Sequence, residues 1–185
     1  MKVAGNGQGK VLTAPELKRL FSDGFIRDRD RTLFAICLFT GCRISEALAL
    51  QVTDIKNKTI TFRKSTTKGK LKTRTIDIPP PLFGYLEEYQ PPVNIYNPYL
   101  FPSRLGKALS RSMADKLLRA ACQRIGVEGV STHSFRRTAL TQMHNAGIPL
   151  RHIQEISGHN DLGPLQRYLE VSPEQRKQAV SVIGW

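Results

Sequence analysis

The run Leu33-Phe-Ala-Ile-Cys-Leu-Phe39 sets apolar residues side by side without interruption. Wound into a helix, such a run is apolar on every side, so it has no face to offer to water and must be enclosed by other elements. Gly41 follows closely, and a glycine just past an apolar helical run is a frequent left-handed stop. The chain is therefore expected to build around a mostly buried helix that ends at Gly41. A short helix follows at once, with Ile44, Ala47 and Leu48 at core spacing. The pair has the outline of a helix-turn-helix, but its second member is too short and too apolar to read a DNA groove.

Elsewhere the pattern is again helical. Thr13-Ala-Pro-Glu16 fits a capping box, predicting a helix to about Ser22. Met113, Leu117, Leu118 and Ala121 share one face of a helix over about 112–125, closed by Gly126. Thr132 is expected to cap a helix that Gly147 ends, and a short helix follows Pro149 until Gly158-His159 breaks it. Another helix is expected to carry Tyr168. Ser172-Pro-Glu-Gln175 has the capping signature of a last helix over about 173–182. The period changes once. Residues 59–62 (TITF) and 73–78 (TRTIDI) alternate and are β-branched, which predicts an antiparallel hairpin with Lys64, Lys68, Lys70 and Lys72 near its tip. Pro79-Pro80-Pro81 stops the second strand, a helix is expected over about 82–89, and a proline-rich loop runs through Pro98 and Pro102. The expected fold is mainly α with a small antiparallel β-sheet, an α+β arrangement. At 185 residues it forms one domain over 11–185, preceded by a flexible, glycine-rich tail at 1–10.

Charge narrows the partners. Lysine and arginine total 28 against 15 acidic residues, a formal balance of +13, and such a field attracts polyanions. The basic residues recur in RDRDR, KSTTKGKLKTR, RSMADKLLR and FRRT rather than in one tail, which favours an ordered nucleic-acid-binding surface over a disordered arm. No run of ~18 apolar residues is available to span a membrane. The three cysteines form no CxxC pair and read as buried, reduced thiols; neither zinc nor another metal is expected.

Cutting a phosphodiester without a metal requires paired guanidiniums to hold the nonbridging oxygens, a general acid for the departing 5′-oxygen, and a nucleophile in line. The chain offers Arg43 after the glycine turn, Arg136 three residues beyond His133, lysines on a hairpin tip, His159 after a glycine, and Tyr168 nine residues later. Taken in order, TGCRISEALAL (40–50), the lysine-tipped hairpin, HSFRRT (133–138), SGH (157–159) and QRYL (166–169) resemble the tyrosine recombinase (phage integrase) family, across roughly residues 11–182.

The resemblance implies roles. Arg43 and Arg136 would hold the scissile phosphate, and His159 would hydrogen-bond it. Lys68, rather than Lys64, Lys70 or Lys72, would protonate the leaving oxygen, and His133 would assist proton movement at the nucleophile. Tyr168 would attack, leaving a 3′-phosphotyrosyl link and a free 5′-hydroxyl. Glu46, one turn after Arg43, would orient its neighbours, and Arg137 would contact backbone. The box before His159 departs from the family pattern, reading ISGH where leucine is usual before the glycine. The implied protein is the catalytic domain of a site-specific recombinase, without metal, cofactor or ATP, acting on double-stranded DNA. It would form a homo-oligomer, a tetramer on DNA, by exchange of the C-terminal helix, and work in the cytoplasm at the nucleoid. On this resemblance the helical core-binding domain that precedes the catalytic domain in the family is expected to be absent from this chain, which would be either a fragment of a longer recombinase or a minimal natural form. The rival readings are a type IB topoisomerase, against which the TGCRISEAL box argues, and a DNA-binding relic of the same scaffold.

Overall fold

The computed structural model describes residues 9–66, 72–91, 97–159, 163, 177 and 179–182. The apolar run lies inside helix α2 (Asp28–Thr40), where Leu33, Phe34, Ala35, Ile36 and Cys37 are all 0% exposed. A helix sealed on every side is the axis about which the rest packs, as its sequence requires. Around it stand α1 (Ala14–Arg19), α3 (Ile44–Leu48), α4 (Pro80–Glu88), α5 (Arg111–Ile125), α6 (Thr132–Asn145) and α7 (Leu150–Ser157). α2 packs on α3, α4 and α6.

The aromatic core joins α2 to α6. Phe25 stacks on Phe34 with ring centroids 4.8 Å apart, and Phe34 meets Phe135 at 5.0 Å. Phe21 approaches Phe135 edge-on at 6.2 Å. Phe135 is thereby fixed at the centre of the molecule, and the next residue along α6 is Arg136. The chain's N-terminal end is tied to the same helix, where the Leu12 N–H donates to Thr138 Oγ1 at 2.8 Å.

The sheet has three strands in the order β1 (Ile55–Lys56), β2 (Thr59–Phe62), β3 (Arg74–Asp77), all antiparallel. The hairpin expected from the alternation is present, with Ile60 opposite Ile76 and Phe62 opposite Arg74. Its buried face carries Ile60, Phe62 and Arg74, while Thr61 and Thr75 share a 3.1 Å hydroxyl contact on the other. β1 is not legible in the pattern. It joins β2 through Asn57 and Lys58, both at positive φ (50° and 58°), a tight turn made without the glycine that would have announced it.

Other boundaries shift for identifiable reasons. The capping box at Thr13 is formed, but α1 stops at Arg19 and widens into a π-type turn over Leu20–Gly24 that buries Leu20 and Phe21. α4 begins at Pro80 rather than Leu82, because proline's missing N–H and fixed φ suit a first helical turn. Ser131, not Thr132, caps α6, and its N–H donates to Ser134 Oγ at 3.0 Å. The three cysteines are buried and free. The helix expected around Tyr168 falls outside the described residues, as do half of the last helix and most of the N-terminal tail, while residues 177 and 179–181 of the last helix are helical. Among the described residues no helix is long and apolar enough to cross a membrane.

Phe135 touches three other rings, so Phe135→Ala should leave a cavity and cost about 3–5 kcal/mol of folding free energy in urea titration. Ile26→Ala, at a side chain 71% exposed, should stay within about 0.5 kcal/mol.

Candidate active site

Arg136 is 6% exposed and surrounded by protein. Its Nη1 donates to the Gly41 carbonyl at 2.7 Å and to the Ser157 carbonyl at 2.9 Å. These carbonyls lie at the C-terminal ends of α2 and α7, where unpaired carbonyls and the helix dipole concentrate negative potential. A buried guanidinium is thus held by two helix ends. Gly41 takes φ +60°, a left-handed conformation that a side chain would strain, so the glycine is what turns its carbonyl toward Arg136. Burial, then the charge of Arg43, pushes the Arg136 pKa down to about 10, so the group remains cationic at neutral pH.

Arg43 sits at the N-cap of α3, and Glu46, buried with a fully enclosed side chain, closes that turn. Glu46 Oε2 accepts from the Arg43 backbone N–H at 2.7 Å, and Oε1 from Arg43 Nη1 at 3.4 Å. A second arginine, Arg74 of β3, forks onto the same carboxylate, Nη1 to Oε1 at 3.1 Å and Nη2 to Oε2 at 3.0 Å. Burial alone would raise the Glu46 pKa. The Arg74 hydrogen bonds and charge, with those of Arg43, outweigh it and hold the carboxyl below its ordinary value.

His159 follows Gly158 at the end of α7. Its Nε2 lies 3.0 Å and its Nδ1 3.3 Å from Arg136 Nη2, and Nδ1 lies 2.7 Å from Ser157 Oγ. The Ser157 hydroxyl also lies 3.2 Å from the Gln154 carbonyl. Burial, then the charges of Arg136 and Arg43, lowers the His159 pKa to about 4, so the imidazole is neutral at neutral pH.

The structure therefore gathers Arg43, Glu46, Arg136 and His159, drawn from three separate sequence boxes, within electrostatic reach of one another, with Arg43 hydrogen-bonded to Glu46 and Arg136 to His159. His133 lies one turn before Arg136 on α6 and is exposed. Lys68 and Tyr168 lie outside the described residues. The base of the lysine-rich connection is described: the Lys64 N–H donates to Thr73 Oγ1 at 3.1 Å, which closes the hairpin below its tip. Arg137 donates to the Gly9 carbonyl of the chain itself at 2.7 Å.

Arg74 was not among the residues expected at the site. The signal was present, since strict alternation in TRTIDI puts it on the face of Ile76, and an inward charge in a half-buried strand requires a buried partner.

A fixed cationic group with a neutral imidazole beside it, on a helical scaffold with one small sheet, suits an oxyanion such as a phosphodiester. The chain belongs to the phage integrase family, whose family model matches residues 10–175. It is 33% identical over 176 residues to the tyrosine recombinase XerA of Pyrococcus furiosus, a match covering 92% of this chain and 60% of XerA. The XerH site-specific recombinase bound to its difH substrate superposes with a TM-score of 0.72 at 26% identity, covering 93% of this chain and 54% of XerH. The catalytic domain of bacteriophage HP1 integrase superposes at 0.66 with 25% identity, covering 94% and 95%. The chain thus spans little more than half of XerA and XerH.

The folded chain refuses a proton at His159 until about pH 4, whereas an unfolded histidine accepts one near 6.5. The stability this group contributes is complete above about pH 6.5 and is lost as pH falls toward 4. In an NMR titration the His159 ring should keep its neutral shifts down to pH 5; a midpoint near 6.5 would contradict the packing described.

Proposed function

We propose that the chain is the catalytic domain of a site-specific DNA recombinase or integrase. It would cleave and rejoin strands through a 3′-phosphotyrosyl intermediate, without metal or ATP. The observation that carries this reading is the Arg136 cluster. Gly41 lies 95 residues from Arg136 and Ser157 lies 21 away, yet both carbonyls bind one guanidinium, which His159 also meets. A buried cation so fixed needs little reorganisation to meet charge as it develops, and in a low-dielectric site its effect is larger than in water.

In the proposed reaction Arg43 and Arg136 bind the nonbridging oxygens of the scissile phosphate, and His159 hydrogen-bonds the same group. The Tyr168 phenol oxygen attacks phosphorus while His133 assists removal of its proton. The bond to the 5′-oxygen breaks, and Lys68 supplies the proton that makes it a hydroxyl. A 5′-hydroxyl from a partner strand then reverses the step, so the phosphoester bond is conserved. An unperturbed phenol has a pKa of about 10, and nearby arginines favour its anion as it forms. Duplex DNA is the proposed partner, supported by the net charge of +13 and by the likeness to XerH, a structure solved on difH DNA. A tetramer on DNA, joined through the C-terminal segment, fits the exposure of Val180 (67%) and Val182 (78%). Such an enzyme would work at the nucleoid.

The target site can be sought with the reaction itself. Nicked suicide duplexes randomised over the central sequence are incubated with the chain and a metal chelator, and covalent adducts are sequenced. Wild type should form an adduct through the 3′-phosphate, and Tyr168→Phe should form none while binding DNA as before. Adduct from Tyr168→Phe, or adduct that requires a divalent metal, would reject the mechanism; no adduct from wild type would favour a scaffold that only binds DNA.

Arg136→Lys keeps the charge but cannot reach both carbonyls and a phosphate with a planar fork. It should slow adduct formation roughly a hundredfold, the equivalent of ~3 kcal/mol in the transition state, with little loss of DNA affinity. Equal rates would remove Arg136 from the proposed site.

A further inference from the structure

Arg74 takes no part in the roles above, yet it is built into the group more tightly than Arg43. We propose that Arg74 is a positioning residue. It keeps the Glu46 carboxylate in register with the Arg43 turn and joins the lysine-bearing hairpin to the loop of His159. The proposal rests on reading Arg43, Arg136 and His159 as the phosphate-holding group.

Arg74 touches parts of the molecule from three separate stretches of chain. Its fork on Glu46 fixes both carboxylate oxygens, and the same oxygens hold the Arg43 backbone and guanidinium. Its guanidinium carbon lies 4.4 Å from the centre of the Phe62 ring, across the hairpin. On its remaining side it runs beneath Gly158, where a Cβ would come within 2.9 Å of Nη1. Gly158 adopts φ +67°, so glycine is required there both by the backbone and by the arginine below it. The residue after Gly158 is His159, and β3 receives the connection that carries Lys68. A shift of Arg74 would therefore be felt at Arg43, at His159 and at the root of the hairpin.

The arrangement is not what stability alone favours. A buried ion pair recovers its desolvation cost incompletely, and apolar replacements of such pairs are often neutral or stabilising. Here the Arg74 Nε–H is in addition buried without a hydrogen-bond partner among the described residues. Glu46 is faced by Arg43 from the α3 turn, by Arg74 from β3 and by Arg136 from α6. His159, Cys37 and Cys42 also lie within its electrostatic reach. Of these, Arg74 does most to oppose the effect of burial on its carboxyl. Without it, Arg43 and its backbone N–H are left to oppose burial, and Glu46 takes up a proton at higher pH. A protonated carboxyl holds the Arg43 N–H less firmly.

The test uses the adduct assay on wild type, Arg74→Gln, Arg74→Lys, Glu46→Gln and the double variant, from pH 8 to 6. Arg74→Gln should slow adduct formation about tenfold or more at neutral pH, with DNA affinity changed less than about twofold. Its rate should fall further, relative to wild type, as the pH is lowered. Arg74→Lys, which keeps the charge, should restore the wild-type pH profile at a reduced rate. Added to Glu46→Gln, Arg74→Gln should cost less than about twofold, because the two act as one unit. A rate for Arg74→Gln equal to wild type, or a loss that is the same at every pH and additive with Glu46→Gln, would overturn the proposal. Should wild type form no adduct, it is the recombinase reading that fails. Positioning is then read by NMR from the Glu46 carboxyl titration and the Arg43 amide shift. Both should move in Arg74→Gln, with the Glu46 titration returning toward wild type in Arg74→Lys, and if neither moves in Arg74→Gln the proposal is wrong.

Discussion

Everything at the site depends on the bonds that Arg136 makes to the carbonyls of Gly41 and Ser157. Each is the end of a helix, and each helix end is where it is for an ordinary reason. α2 is placed by burial of its whole circumference, and α7 packs on α6. The guanidinium is therefore aimed by the hydrophobic core, through Phe135 on one side and the two helix termini on the other. Taking a charge out of water is costly, and here the cost is offset by acceptors that no rotamer change can supply.

The same region carries more positive charge than its neighbours neutralise. Arg43, Arg74 and Arg136 act on Glu46, and Arg136 and His159 are both pushed toward their neutral forms by burial and then by the arginines around them. Such crowding is unfavourable in the free chain and is relieved by an anion. A site that waits for a phosphodiester is expected to hold this kind of imbalance, since a fully paired network would gain nothing on binding. The neutral imidazole fits the pattern, because a second buried cation beside Arg136 would add repulsion without a planar fork to use it.

Much of this was legible residue by residue. The buried α2, the left-handed stop at Gly41, the capping box at Thr13 and the β2–β3 alternation all follow from local rules, in which a side chain's chemistry acts within a turn or two of itself. The order of the boxes grouped Arg43, Arg136 and His159, and the fold brings these three side chains near one another. The third strand was missed because Asn57 and Lys58 make a positive-φ turn without glycine. The π-type turn was missed because it answers to the burial of Leu20 and Phe21, not to any helix stop. Arg74 carried a signal in its inward register, but register says that a charge is buried and not which partner receives it.

The sequence by itself determined which elements form and which residue types are available to them. Periodicity, caps and glycines act over short distances and need no knowledge of the whole. Only the tertiary structure decided that the carbonyls of Gly41 and Ser157 share one guanidinium, that the His159 ring meets both that guanidinium and Ser157 Oγ, and that Arg74 reaches Glu46 across 28 residues of chain. Those pairings depend on packing distances between separate elements. Strand and helix periods set the face a residue occupies, while the neighbour across the core is chosen by how all the faces close together.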